Sequence, residues 1–224
     1  MIEPRYSTLQ SLFADRVFRI PAYQRFYSWH SKQREDLFSD ITKLAKSGTD
    51  QHHFMATVVC HKTSEVKPIG ASQYRLYDVV DGQQRLTTLI LILKCIELQL
   101  PSDSEDRREL AKILVKRDGQ LILLQTNNAN EHLFNKYIRD GKLAVKGEIQ
   151  TQSDRNLVRA MEECRVFVDT WDQKGGMVGL MQLLLHRLGF VVYDTEDSRI
   201  IYTLLKFLTA GVSLSTGLIR LRAS

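Results

Sequence analysis

Asp81-Gly82-Gln83-Gln84-Arg85 stands at a change of sequence pattern. Before it, the run from Tyr74 to Val80 is rich in β-branched and aromatic residues, which is typical of a strand. After it, apolar residues recur at helical spacing from Leu86 onward. An acid, a glycine, two amides and a guanidinium at a strand-to-helix junction indicate a phosphate site, because a helix N-terminus offers unpaired N–H groups and a positive dipole end.

Each residue type in this motif has a use in phosphate chemistry. Gly82 lets the backbone approach a ligand closely, and Arg85 can donate two hydrogen bonds to one phosphate. Asp81 would repel a bare phosphate, so its place near Arg85 favours a Mg²⁺ ion or an attacking water between them. The alternative interpretation is structural: Asp81 caps the helix, and the polar residues after it form a solvated first turn.

A second Gln-Arg pair lies in the segment Ile20-Pro-Ala-Tyr-Gln-Arg-Phe-Tyr-Ser-Trp29, directly after the apolar run Val17 to Ile20. Pro21 restricts the backbone, so the pair follows a stiff turn. Core packing explains the aromatic residues of this segment, but it does not explain Gln24 and Arg25. The two motifs together are more specific than either one alone.

These features resemble one protein family. An amphipathic helix ending at Asp40-Ile41 and a strand opening at His53-Phe54 separate the two motifs. In this order and spacing, the first half of the chain resembles the ParB-like N-terminal domain of GmrSD-type restriction proteins, in the ParB/sulfiredoxin superfamily. The resemblance implies binding and hydrolysis of a nucleoside triphosphate, coupled to cleavage of modified foreign DNA in phage defence.

The resemblance also implies a site. The two motifs would face each other across a nucleotide pocket, with Mg²⁺ held at Asp81, arginines on the phosphates and glutamines orienting the ligand. The expected catalytic residues are Asp81, Gln84 and Arg85, and the expected nucleotide-binding residues are Gln24, Arg25, Gly82 and Gln83.

The C-terminal segment departs from the family pattern. The family commonly has an Asn-x-Arg-Gly-like element there, but Leu208 and Ala210 occupy the Asn and Arg positions, and only Gly211 is kept. This difference supports an alternative function, in which the chain is a catalytically silent DNA-binding or protein-interaction remnant of the same fold.

Nuclease activity of this chain alone is not expected. Larger relatives often carry a C-terminal HNH nuclease domain, but the six histidines show no HNH-like grouping and no H-E-x-x-H pattern. No compact carboxylate cluster suits two-metal cleavage. An HNH-type nuclease partner or a lost C-terminal domain would therefore cut the DNA. A P-loop mechanism is excluded because no G-x-x-x-x-G-K-[ST] sequence occurs.

Composition predicts an ordered cytoplasmic protein. The chain has 224 residues with 43% hydrophobic content, which suffices for a full core. It has no apolar run of about 20 residues and no signal-peptide pattern, so no membrane contact is expected. The three cysteines fit buried, reduced thiols. A net charge of +5 is compatible with DNA contact, although the basic residues are scattered.

The patterns predict an α+β fold. Pro101 to Ser104 is the expected boundary between a ParB/sulfiredoxin-like mixed domain, residues 1–100, and a mainly helical region, residues 101–224. The predicted elements of the first part are helices at 7–14, from 31 and from 86, a strand at 17–20, and a hairpin of strands 54–62 and 74–80 around Pro68 and Gly70.

Overall fold

A mixed β-sheet forms the centre of the molecule. The computed structural model describes residues 4–14, 16–47, 53–69, 72–116, 121–126, 131–173, 175–197, 199–201 and 203. The strands are β1 Arg5–Thr8, β2 Arg16–Ile20, β3 His53–Ile69, β4 Ser72–Asp81, β5 Val115–Lys116, β6 Leu121–Ile122, β7 Leu124–Thr126 and β8 Leu188–Thr195. Within the described residues, six of them form one sheet in the order β1-β8-β3-β4-β2-β7, while β5 pairs with β6.

Helices cover the sheet and predominate beyond residue 101. They are α1 Leu9–Phe13, α2 Ser31–Lys46, α3 Gln83–Gln99, α4 Glu105–Leu114, α5 Glu131–Asp140, α6 Gln152–Asp169 and α7 Gly176–Gln182, with a short 3-10 turn at Lys146–Glu148 and a π-helical segment at Leu183–Arg187. The described helices include none that is both long enough and apolar enough to cross a bilayer. The predicted α+β fold class is confirmed.

Three parallel strands bring their carboxyl ends to one edge of the sheet. β2 pairs in parallel with β4 on one side and with β7 on the other. The register places Ile20 at the end of β2 beside Thr126 at the end of β7. Asp81 ends β4 at the same edge. Both sequence motifs therefore leave the sheet from this edge, where ligands of parallel sheets commonly bind.

Helix α3 is buried on nearly all sides. The sequence predicts one apolar stripe between Leu86 and Ile96, but Leu91 and Ile92 are as fully buried as Leu89. The helix packs against α4, α6 and α7 and shares the main core with the sheet. Because α3 is buried on nearly all of its faces, the motif at its N-terminus stands on a rigid support.

The N-terminal segment differs from its prediction. A helix is expected from residue 7 to residue 14, but Arg5–Thr8 is a strand and the helix is confined to Leu9–Phe13. Strand β1 pairs antiparallel with β8, from the other end of the described chain. Its conformation depends on that distant partner, which a local sequence pattern does not report.

The predicted hairpin is confirmed, with a longer first strand. Pro68 lies in β3 and pairs with Gln73, rather than in the connecting loop. Because β3 pairs with β8 only as far as His61, its last part has one open edge, where a residue without an N–H is tolerated. Gly70 lies outside the described residues.

The sheet and the core contain residues from before and after the expected domain boundary. Pro101 to Ser104 forms the turn between α3 and α4. Strand β8 lies between β1 and β3, and core residues of α6 pack with those of α3. Leu208 and Ala210, where the sequence departs from the family pattern, and the retained Gly211 lie outside the described residues.

Candidate functional site

Glycine is required at the junction between β4 and α3. Gly82 has φ 89° and ψ 1°, in the left-handed region, and it precedes the first residue of α3 without a side-chain cap. A Cβ at this position would lie 3.1 Å from the Thr57 carbonyl oxygen and 3.3 Å from Val58 Cγ2. The first intrahelical hydrogen bond runs from Leu86 N to Gly82 O over 3.0 Å, so the N–H groups before it have no helical acceptor.

The two motifs are in contact through three glutamines. Gln24 Nε2 donates to Val80 O over 3.1 Å, at the end of β4. Gln83 Nε2 donates to Arg25 O over 3.2 Å and lies 3.5 Å from Gln24 Oε1. The structure therefore places Gln24, Arg25 and Gln83 together, as expected of residues that share a site.

Gln84 holds the first motif in place. Its side chain is 5% exposed. Its Nε2 donates to Phe26 O over 3.0 Å, while its Oε1 accepts from Ser28 N over 2.8 Å. Both ends of the amide are thus used by the backbone of the facing segment. In this arrangement Gln84 positions that segment, and its expected catalytic role stays a prediction.

A small cavity lies between the motifs. Its volume is about 20 Å³, which is room for one water-sized group. Arg25, which is exposed, belongs to its border. The lining residues are Ile20, Arg25, Tyr27, Gln83, Gln84, Thr87, Thr126, Phe134 and Leu157. Thr126 was not anticipated from the sequence, because only the pairing of β7 with β2 brings it to this edge.

Arg85 lies outside this cavity, against an aromatic ring. Its Cζ is 5.7 Å from the centre of the Trp29 ring, and its Nε is buried without a hydrogen-bond partner. Burial lowers the pKa of the guanidinium, whereas the negative charges of Asp40 and Asp81 oppose that shift. An arginine with a free buried donor, near the end of β4, is suited to an anionic ligand. Asp40 is a neighbour that the sequence argument did not assign to the site.

Asp81 offers one carboxylate for a metal ion. It is half-buried at the end of β4. Across the part of the chain that the structure describes, no group of three or more His, Cys, Asp or Glu side chains could hold a metal. Mg²⁺ usually keeps several waters and binds through one or two carboxylates plus substrate phosphates. A single carboxylate fits that mode of binding and does not fit a metal site built from protein ligands alone.

A buried ion pair anchors the end of the first motif. Arg34 of α2 is fully buried, and it donates from Nε to Glu163 Oε2 over 2.6 Å and from a terminal nitrogen to Trp29 O over 2.5 Å. Desolvation would raise the pKa of Glu163, but hydrogen bonds from Arg34, Ser31 and Arg159 outweigh it and lower that pKa to about 2. Through Arg34, Glu163 of helix α6 thereby fixes the backbone of Trp29, whose ring packs on Arg85.

A comparison with protein-family models identifies the family of the chain. Residues 9–215 match the family model of the GmrSD restriction endonuclease, N-terminal domain. None of the curated proteins compared with the chain matches it. The family match spans both motifs, every strand of the main sheet except β1, and the described helices. The chain therefore belongs to the family of GmrSD restriction endonuclease N-terminal domains, which are parts of restriction systems.

Proposed function

We propose that this domain binds a nucleoside triphosphate with Mg²⁺ and hydrolyses it, as the regulatory part of a restriction system directed against modified DNA. The N-terminus of α3 carries the proposal. Its N–H groups are not capped by a side chain, and Arg85 beside them has a buried donor without a partner. Both features stabilise negative charge, and phosphate is the anion that such helix ends commonly bind.

The residues at this edge have different proposed roles. Arg85 and the exposed Arg25 neutralise phosphate charge, while the amides of Gln24, Gln83 and Gln84 hold the two motifs at a fixed separation. Asp81 is placed to hold the ion or to orient a water. When bound, Mg²⁺ would neutralise charge on the phosphate oxygens.

A second candidate function is nucleotide binding without turnover. Both ends of the Gln84 amide bond to the backbone of the first motif, so in this conformation the amide holds that segment rather than a ligand. The sequence also lacks the Asn and Arg of the C-terminal family element. In that case the domain would act as a DNA-binding or protein-interaction module. In either case we propose DNA and an HNH-type nuclease as partners.

Phosphate release distinguishes these functions. We would measure it from each of the four common nucleoside triphosphates with Mg²⁺ and with EDTA, for the wild type, Asp81→Asn and Arg85→Ala. We expect turnover that needs Mg²⁺ and that falls roughly a hundredfold in both variants, the usual cost of losing one group that stabilises the transition state. Asp103→Asn and Arg139→Ala change exposed residues elsewhere and serve as matched controls.

Each other outcome has a separate meaning. Binding of a nucleotide by the wild type without phosphate release would favour the second candidate. The absence of binding for all four nucleotides would contradict both candidates. Turnover that survives in Asp81→Asn would remove Asp81 from the mechanism.

A further inference from the structure

The small cavity between the motifs is lined by buried polar atoms that lack partners. Gln83 Oε1 and Thr126 Oγ1 have no hydrogen-bond partner, although the two side chains are only 5% and 6% exposed. Leaving such a group buried and unpaired is unfavourable, because it has given up its hydrogen bonds to water without replacing them. Both residues line the same cavity, so a polar group placed there would lie beside both side chains.

The orientation of the Gln83 amide is fixed by its surroundings. Its Nε2 lies 3.2 Å from Arg25 O and 3.5 Å from Gln24 Oε1, and both of these atoms are acceptors. Rotating the amide by 180° would set Gln83 Oε1 against two acceptors. The unpaired atom is therefore the carbonyl oxygen, and the missing partner must be a donor.

The size and polarity of the cavity restrict that partner. A space of about 20 Å³ holds a single water-sized group. A carboxylate or phosphate oxygen would face the Gln83 carbonyl acceptor to acceptor, and an ammonium would lie beside the cationic Arg25 at the border. A hydroxyl group can donate to Gln83 Oε1 and accept from the hydroxyl of Thr126.

We propose that this cavity receives one hydroxyl group of the nucleotide's sugar, so that Thr126 and Gln83 select nucleotides that carry this hydroxyl over forms that lack it. This inference rests on the proposed nucleotide binding. The cavity lies at the sheet edge from which both motifs leave, since its lining residues Ile20 and Thr126 are paired at the ends of β2 and β7. A sugar bound there keeps its phosphates near Arg25 and the start of α3.

Binding measurements with altered sugars test the inference. We would measure Kd with Mg²⁺ for non-hydrolysable ribonucleoside triphosphates, and for their 2′-deoxy and 3′-deoxy forms, in the wild type, Thr126→Val and Thr126→Ser. In the wild type, one of the two deoxy forms should bind about tenfold more weakly. Thr126→Val, which has the shape of threonine without its hydroxyl, should bring the ratio of the deoxy Kd to the ribo Kd close to one. Thr126→Ser keeps the hydroxyl and should preserve the ratio.

Three results would overturn the inference. If the wild type binds the ribo and both deoxy forms equally, the cavity holds only water, and the proposed function stands unaffected. If the ratio survives in Thr126→Val, another residue selects the sugar. If no nucleotide binds at all, the proposed function fails and the inference fails with it. The comparison of sugars in the wild type needs no variant, so it remains decisive even if Thr126→Val does not fold.

Discussion

Gly82 joins the strand that ends at Asp81 to the helix that carries the other motif residues. Its left-handed backbone conformation turns the chain sharply enough for Gln83 and Gln84 to reach the carbonyl groups of the first motif. Any side chain here would press on the backbone of β3 at Thr57. The geometry of the site therefore depends on one residue that has no side chain of its own.

Gly82→Ala should lower the free energy of unfolding by about 2 kcal/mol, because alanine is strained at positive φ and its Cβ would crowd the Thr57 carbonyl. Urea denaturation would measure the change. Gly147→Ala is the matched control: Gly147 has open space around its Cβ position and an ordinary φ. Equal stability of Gly82→Ala and the wild type would contradict this account of the junction.

At the residue scale, the sequence indicated the position of the second motif better than the contacts that its residues make. Its pattern placed the motif at a strand-to-helix junction, as observed. It did not show that the Gln84 amide would be used by the backbone at Phe26 and Ser28. It also gave no sign of Thr126, because that residue joins the site through the register of two parallel strands.

At the scale of elements, helix α6 supports the site without lining its polar edge. Glu163 accepts hydrogen bonds from Arg34 and Ser31 of α2 and from Arg159 of its own helix. Arg34 in turn holds the carbonyl group of Trp29, whose ring lies over Arg85. Local patterns predict each helix separately, but this pairing depends on tertiary packing and could not be read from the sequence.

Glu163→Gln should destabilise the protein by about 2 kcal/mol at neutral pH, because it leaves the fully buried Arg34 without a charged partner. The folded pKa of Glu163, about 2, is below its ordinary value of 4.5. Its stabilising contribution is therefore complete above pH 4.5 and is lost as the pH falls towards 2. Thermal unfolding followed between pH 7 and pH 2 would measure both effects.

The matched control for this prediction is Glu162→Gln, a change at the exposed neighbouring residue. Its stability and its pH dependence should equal those of the wild type. As the pH falls, Glu163→Gln should lose less stability than the wild type or Glu162→Gln. An identical slope in all three would show that Glu163 does not titrate at low pH in the folded state.

At the scale of the whole molecule, sheet and core combine residues from both ends of the described chain. Strand β8 pairs in parallel with β3 and antiparallel with β1, so it fills the space between two N-terminal strands. The buried faces of α3 and α6 belong to one hydrophobic cluster. The sequence pattern predicted β3 and α3, but it could not predict their partners β8 and α6. The division into residues 1–100 and 101–224 stays a prediction.

A fragment of residues 1–100 tests that division, and we expect it not to fold cooperatively. Without β8, the strand β1 has no partner among the described residues, and β3 loses its pairing from His53 to His61. Without α6, the apolar surface of α3 that packs against this helix is exposed to water. Amide dispersion in NMR spectra and urea denaturation would compare the fragment with the full chain, which should unfold in one transition. A dispersed spectrum with a cooperative transition in the fragment would show instead that the first hundred residues are a self-sufficient domain, and that the shared sheet is a docking contact between two units.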